Sequence, residues 1–130
     1  MCFPAVPISG VSALRRVILE SPYRATLERT TEQHRLYLTH ALRDCVMRNE
    51  SPYASHGLLI EALDDDDPVE RALGIKCGWA WAEKADAVVV YGCLGVSPGM
   101  RESIDRYQKM GLPIERRKLD WVIVDEILKG

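Results

Sequence analysis

Asp86-Ala87-Val88-Val89-Val90-Tyr91 constrains this chain more than any other segment. Its apolar residues are consecutive rather than alternating, so both faces of the strand must be covered. That pattern suits a central strand of a parallel sheet, and parallel neighbours must be joined by crossover helices. The rest of the sequence supplies both. Arg16-Val17-Ile18-Leu19-Glu20 is a second short β-branched run, closed by Ser21-Pro22. Leu38, Ala41/Leu42 and Cys45/Val46 recur at helical spacing and predict an amphipathic helix over roughly Thr26 to Arg48. Asp67, Pro68 and Glu70 form a capping-box-like start for a helix running to about Lys84. Ser97-Pro98 opens another, ending at Gly111, with Met100, Ile104 and Tyr107 on one face. Tyr53–His56 and Pro113–Leu119 are expected as further short strands, the latter near an edge. Asp120 is expected to cap a last helix ending near Lys129, although Val122-Ile123-Val124 also reads as strand.

The order strand–helix–strand–helix implies a three-layer α/β fold, a flavodoxin-like or Rossmann-like parallel sheet with helices on both faces. The 130 residues suit one domain, expected over 15–130, behind an N-terminal arm at 1–14. With 17 Lys and Arg against 19 Asp and Glu, the net charge of −2 gives no electrostatic case for a nucleic-acid polymer or a membrane surface. No apolar run approaches the length of a bilayer span, and the start has no basic region before an apolar core. A cytoplasmic protein is therefore expected. Cys2, Cys45, Cys77 and Cys93 lack close pairing and read as small buried hydrophobes. The histidines lack ligand spacing, so neither a metal nor another cofactor is expected. Gly74, Gly78 and Ala82 recur every four residues, which suggests a smooth helix face for close packing. Trp79, Trp81 and Trp121 are either core or the surface of a homo-oligomer.

Right-handed crossovers place the carboxyl ends of all parallel strands on one edge, where ligands of such folds bind. Glu20–Arg24, His56–Asp67 and Gly92–Gly99 reach that edge. Ser97 and Gly99 open a helix whose free N–H groups suit an anion, with Met100 in its first turn. Arg24 can pair with a phosphate and Tyr23 can stack on a base, or Glu20 and Arg24 can form an ion pair at the rim. In the run Asp64-Asp65-Asp66-Asp67, Asp67 is a helix cap. The others are either a solvated loop or a source of one or two site carboxylates. His56 is either a ligand contact or structural.

The segments V-I-L-E-S-P-Y-R, A-D-A-V-V-V-Y, L-G-V-S-P-G-M-R-E-S-I and G-L-P-I resemble the nucleoside 2-deoxyribosyltransferase-like superfamily. D-D-D-D-P-V-E-R-A-L-G-I resembles a segment of its small branch found in bacteriophage and prophage genomes. The resemblance spans about Arg16 to Arg117. It implies an oligomeric protein that handles nucleosides or nucleoside monophosphates at the N-glycosidic bond. A phosphate would be held by the first loop and by the serine that opens the later helix, here Ser21, Arg24, Ser97 and Gly99. The family's glutamate nucleophile lies four residues after the glycine matching Gly99. Ser103 stands at that position, and Glu102 is about 100° away around the helix. Gly92-Cys93-Leu94 replaces the aspartate expected after the central strand.

Two functions follow. One is a nucleotide- or nucleoside-binding protein, such as a phage protein that sequesters a nucleotide signal. The other is an N-glycosidase acting on a nucleoside monophosphate or related nucleotide, with Glu20 or Asp64 in place of the missing carboxylate. Glu102 is expected to face solvent or Arg106.

Overall fold

A computed structural model describes residues 14–130. The arm expected at 1–14, with Cys2, lies almost wholly outside these residues. Four parallel strands form the sheet: β1 (Arg15–Glu20), β2 (Glu50–Tyr53), β3 (Ala87–Tyr91) and β4 (Ile114–Arg117), in the order β2-β1-β3-β4. This is the start of the doubly wound order found in flavodoxin-like sheets. All five residues of β3 are buried, and Ile18 and Leu19 of β1 pair with its Val88 and Val89. The strand that is apolar on both faces is therefore central, as its composition requires.

Side chains alternate between two cores. Val17, Leu19, Val89 and Tyr91 pack with Tyr37, Leu38, Ala41, Val124 and Ile127. These come from α1 (Thr31–Met47) and from the last helix, α5 (Trp121–Lys129). Ile18, Val88 and Val90 face the other way, against Ala82 of α3 (Pro68–Ala82) and Met100, Ile104 and Tyr107 of α4 (Pro98–Lys109). The result is a helix–sheet–helix three-layer α/β fold.

Several boundaries differ from expectation for local reasons. α1 starts at Thr31, because Thr30 and Gln33 form a reciprocal capping box. Thr26 instead closes a turn, its Oγ1 accepting from the Arg29 N–H at 3.1 Å. β2 ends at Tyr53, and His56 lies in a single helical turn, α2 (Ser55–Leu58), rather than in a strand. Asp67 caps α3 by accepting from the Val69 N–H, but Glu70 accepts from the Asp64 N–H and completes no box with Asp67. Asp120 caps α5, which settles Val122–Val124 as helix.

The small-residue face of α3 is not closely approached. A methyl at Gly78 would meet the Tyr107 hydroxyl at 3.6 Å and one at Gly74 the Leu63 side chain at 3.4 Å, both ordinary contacts. Of the fifteen residues of α3 only Gly78 and Ala82 are buried. Trp81 and Trp121 are 57% and 71% exposed, so neither is core. Cys45 is buried and Cys93 partly so, whereas Cys77 is exposed, against the expectation of burial. Beneath α1, Arg117 makes two 2.7 Å bonds to Glu50, one to each carboxylate oxygen. Arg117 also donates to Glu115 at 3.1 Å and to the Tyr91 hydroxyl at 3.1 Å, and Arg15 bridges Glu50 and Glu115.

Candidate functional site

The carboxyl ends of β1 and β3 flank the point where the strand order reverses, because β1 continues to β2 on one side and β3 continues to β4 on the other. A cleft of about 870 Å³ opens on that edge, between the loop after β1, the α2 turn, α3 and the first turns of α4. It is large enough for a nucleotide-sized ligand.

Glu20 is the last residue of β1 and points to the α3/α4 face. It is 9% exposed. Burial holds its carboxyl up at about 7, and the nearby Ser103 hydroxyl opposes that rise. Among the described residues no cation pairs with it. The expected rim pair between Glu20 and Arg24 is therefore absent. A carboxyl of this kind exchanges protons near neutrality.

Ser21 and His56 meet at 2.8 Å through Oγ and Nε2. Burial holds the imidazole down at about 4, so His56 is neutral at pH 7. The edge of Tyr23 stands 6.3 Å from the His56 ring, centroid to centroid. The Tyr23 carbonyl is also 3.1 Å from Nδ1 of the fully buried His34. The loop after β1 is thus held from two sides.

Arg24 lines the cleft but is already engaged. Its guanidinium donates to Asp65 Oδ2 at 2.8 and 2.6 Å and to the Asp65 carbonyl at 2.9 Å, with Asp66 at 3.5 Å. The acidic run thus neutralises Arg24. Asp65 lines the cleft; Asp64 does not, because its Oδ1 accepts from the Asp66 N–H within the turn. As a candidate carboxylate Asp64 is misplaced, and Glu20 remains.

Ser97 caps α4, its Oγ accepting from the Met100 N–H at 3.2 Å while Met100 Sδ receives the Ser97 N–H. Among the described hydrogen bonds the Gly99 N–H donates to none, so it is free for an anion. The nearest side chain to Gly99 is Arg71, whose guanidinium nitrogen lies 3.5 Å from where a Cβ would stand. Arg71 makes no ion pair among the described residues.

Glu20, Ser21, Tyr23, Arg24, His56, Ser97, Gly99 and Met100 therefore share one cleft. Sequence reasoning missed Arg71, Trp79 and Arg106, which complete it. Arg106 stacks over Trp79, 3.4 Å from the ring centroid, and so does not pair with Glu102. Glu102 itself is exposed at the rim. The helical spacing of Arg71 from Asp67, one turn into α3, was the available signal. It points to the cleft only once the two helix starts are known to be neighbours.

Among the described residues no group of three or more His, Cys, Asp or Glu is arranged to hold a metal ion. No helix among them is long and apolar enough to cross a membrane.

No curated protein and no solved structure matches the chain. A family model described as a domain of unknown function, DUF7768, matches residues 15–117, which include all four strands and every residue of the cleft, and the chain belongs to that family.

Proposed function

We propose that this protein binds a nucleotide or nucleoside in the cleft, with the phosphate of a nucleotide against the first turn of α4. The observation that carries this reading is the pairing of the free Gly99 N–H with the unpaired Arg71 guanidinium at one end of a nucleotide-sized cleft. Ser97 adds a hydroxyl there. Arg71 takes the role expected of Arg24, which Asp65 and Asp66 hold. Tyr23, in the loop after β1, offers an aromatic ring for a base. A cytoplasmic protein that binds without turnover withholds its ligand from others, which suits sequestration of a nucleotide signal in a phage. Exposed Trp81 and Trp121 favour a homo-oligomer, which sedimentation would detect.

Glu20 favours a second reading, hydrolysis of an N-glycosidic bond. Ser103, at the position of the superfamily's nucleophile, lines the cleft beside Glu20, so a carboxyl comes to the same neighbourhood from the strand. Protonated Glu20 would give its proton to the leaving base as the C1′–N bond breaks, and water would add to C1′, its surplus proton passing to the Glu20 carboxylate and restoring the acid. The products are free base and sugar phosphate.

Calorimetric titration with nucleosides and their monophosphates, with chromatography of the same mixtures for free base, separates the two. Binding without base supports the first reading, and base release supports the second. A panel in which nothing binds overturns both.

A further inference from the structure

The floor of the cleft holds a group whose chemistry is unusual for its surroundings. Glu20 is a buried carboxyl at the carboxyl end of a parallel strand, lining a cleft that also holds Arg24, Arg71 and Arg106. None of those cations serves it. Arg24 is turned to Asp65 and Asp66, Arg106 lies on Trp79, and Arg71 stands over Gly99. The Ser103 hydroxyl, which lines the same cleft, is the one neighbour that eases its burial. The neighbouring Ser21 hydroxyl is committed to His56.

A buried carboxylate is acceptor-only and costly to leave under-bonded. With no cation at hand, neutral donors must complete its shell, and one serine hydroxyl leaves most of its acceptor sites unused. Two adjacent hydroxyls on a ligand would fill them, one to each carboxylate oxygen. Acidic side chains take ribose hydroxyls in this way at strand ends of dinucleotide-binding sheets.

We propose that Glu20 receives the 2′,3′-diol of a ribose, so that the cleft selects ribonucleotides over 2′-deoxyribonucleotides. This rests on the reading that a nucleotide binds here. The phosphate end lies at α4 and Arg71, and Glu20 and Ser103 take the sugar. A site built to hydrogen-bond a hydroxyl rejects the analogue that lacks it, because the buried acceptor is then left unpaired.

The test is calorimetric titration of the purified chain with matched pairs: the four common ribonucleoside monophosphates and their 2′-deoxy counterparts. Ribose forms are expected to bind tenfold or more tightly than deoxy forms of the same base. In Glu20→Gln and Glu20→Ala, checked for folding by circular dichroism, the ratio is expected to fall to within about twofold. The isosteric Gln variant guards against misfolding of the Ala variant. Equal binding of both series by the unaltered protein overturns the diol assignment while leaving nucleotide binding standing. So does a ribose preference that survives both substitutions. Failure of both series to bind overturns the nucleotide reading and this inference with it.

Discussion

Ser103 of α4 and Glu20 at the end of β1 line one cleft, and the Ser103 hydroxyl stands near enough to oppose the rise that burial gives the Glu20 carboxyl. Glu20 is left as an acid with a midpoint near neutrality and no ion-pair partner among the described residues. His56, on the α2 turn beside it, is displaced in the opposite direction.

The two displacements predict an unusual pH profile of stability. Glu20 has a folded value of about 7 against an ordinary 4.5, so its favourable contribution is complete below 4.5 and is lost as pH rises to about 7. His56 has a folded value of about 4 against 6.5, so its contribution is complete above 6.5 and is lost as pH falls to about 4. Each spans about 3 kcal/mol. Between pH 4.5 and 6.5 their slopes oppose. Urea unfolding should therefore show a nearly flat profile there in the unaltered protein. Glu20→Gln should expose a rise in stability with pH, and His56→Gln a fall.

Arg71 and Arg24 should differ in their effect on ligand. Arg71→Ala is expected to weaken a nucleoside monophosphate about tenfold and the parent nucleoside little, since a lost charge-assisted bond costs about 1.5–3 kcal/mol before solvent screening. Arg24→Ala should cost less than threefold, because Asp65 and Asp66 already hold its guanidinium. Titration of both variants with both ligands measures the contrast, and the reverse order would place the phosphate at the other rim.

Glu102 is exposed at the mouth of the cleft, and its near neighbour Arg106 is occupied by Trp79. Glu102→Ala should leave nucleotide affinity, and any base release, within about twofold. A hundredfold loss of base release with the fold intact would make Glu102 the acting carboxylate.

Arg117 and Glu50 form a pair whose side chains are only 8% and 5% exposed. Arg117→Met should destabilise by about 3–5 kcal/mol, because Glu50 is left buried with its main partner gone. Adding Glu50→Leu should restore most of that loss in chemical denaturation, since the pair's desolvation cost then disappears as well.

Gly78→Ala should stabilise the protein by about 0.5–1 kcal/mol. The new methyl meets only ordinary contacts with Tyr107 and Ser55, and helix propensity then decides the sign. A shift of the urea midpoint to lower concentration would mean that α3 packs more tightly than these distances indicate.

Legibility differed by the kind of signal. β3 could be read from its composition, because apolar residues at successive positions have no other stable placement in a chain this size. The starts of α3, α4 and α5 could be read from Asp67, Ser97 and Asp120, since capping is local chemistry. The start of α1 was misplaced because Thr26 and Thr30 are both competent caps, and the partner Gln33 selects the second. The site residues on strand ends were legible through topology. Arg71 was not, because its role depends on the approach of two helix starts about thirty residues apart. Nor was the capture of Arg24 by Asp65, which requires the acidic loop to fold back over the first loop.

The thin anchoring of α3 bears on how a ligand would be felt by the whole molecule. One bank of the cleft, with Glu20 and the Ser21 that follows it, is anchored at the end of a sheet strand. The other, with Arg71 and Trp79, belongs to a helix that buries two of its fifteen residues. A ligand held at both ends acts as a strut between a stiff element and a loose one. Amide hydrogen exchange along α3 should then slow on binding far more than exchange in β1 or β3, whose amides are already locked in the ladder. The helix thereby becomes the reporter of occupancy, and any partner that senses the loaded protein has its signal displayed on the outer face of α3.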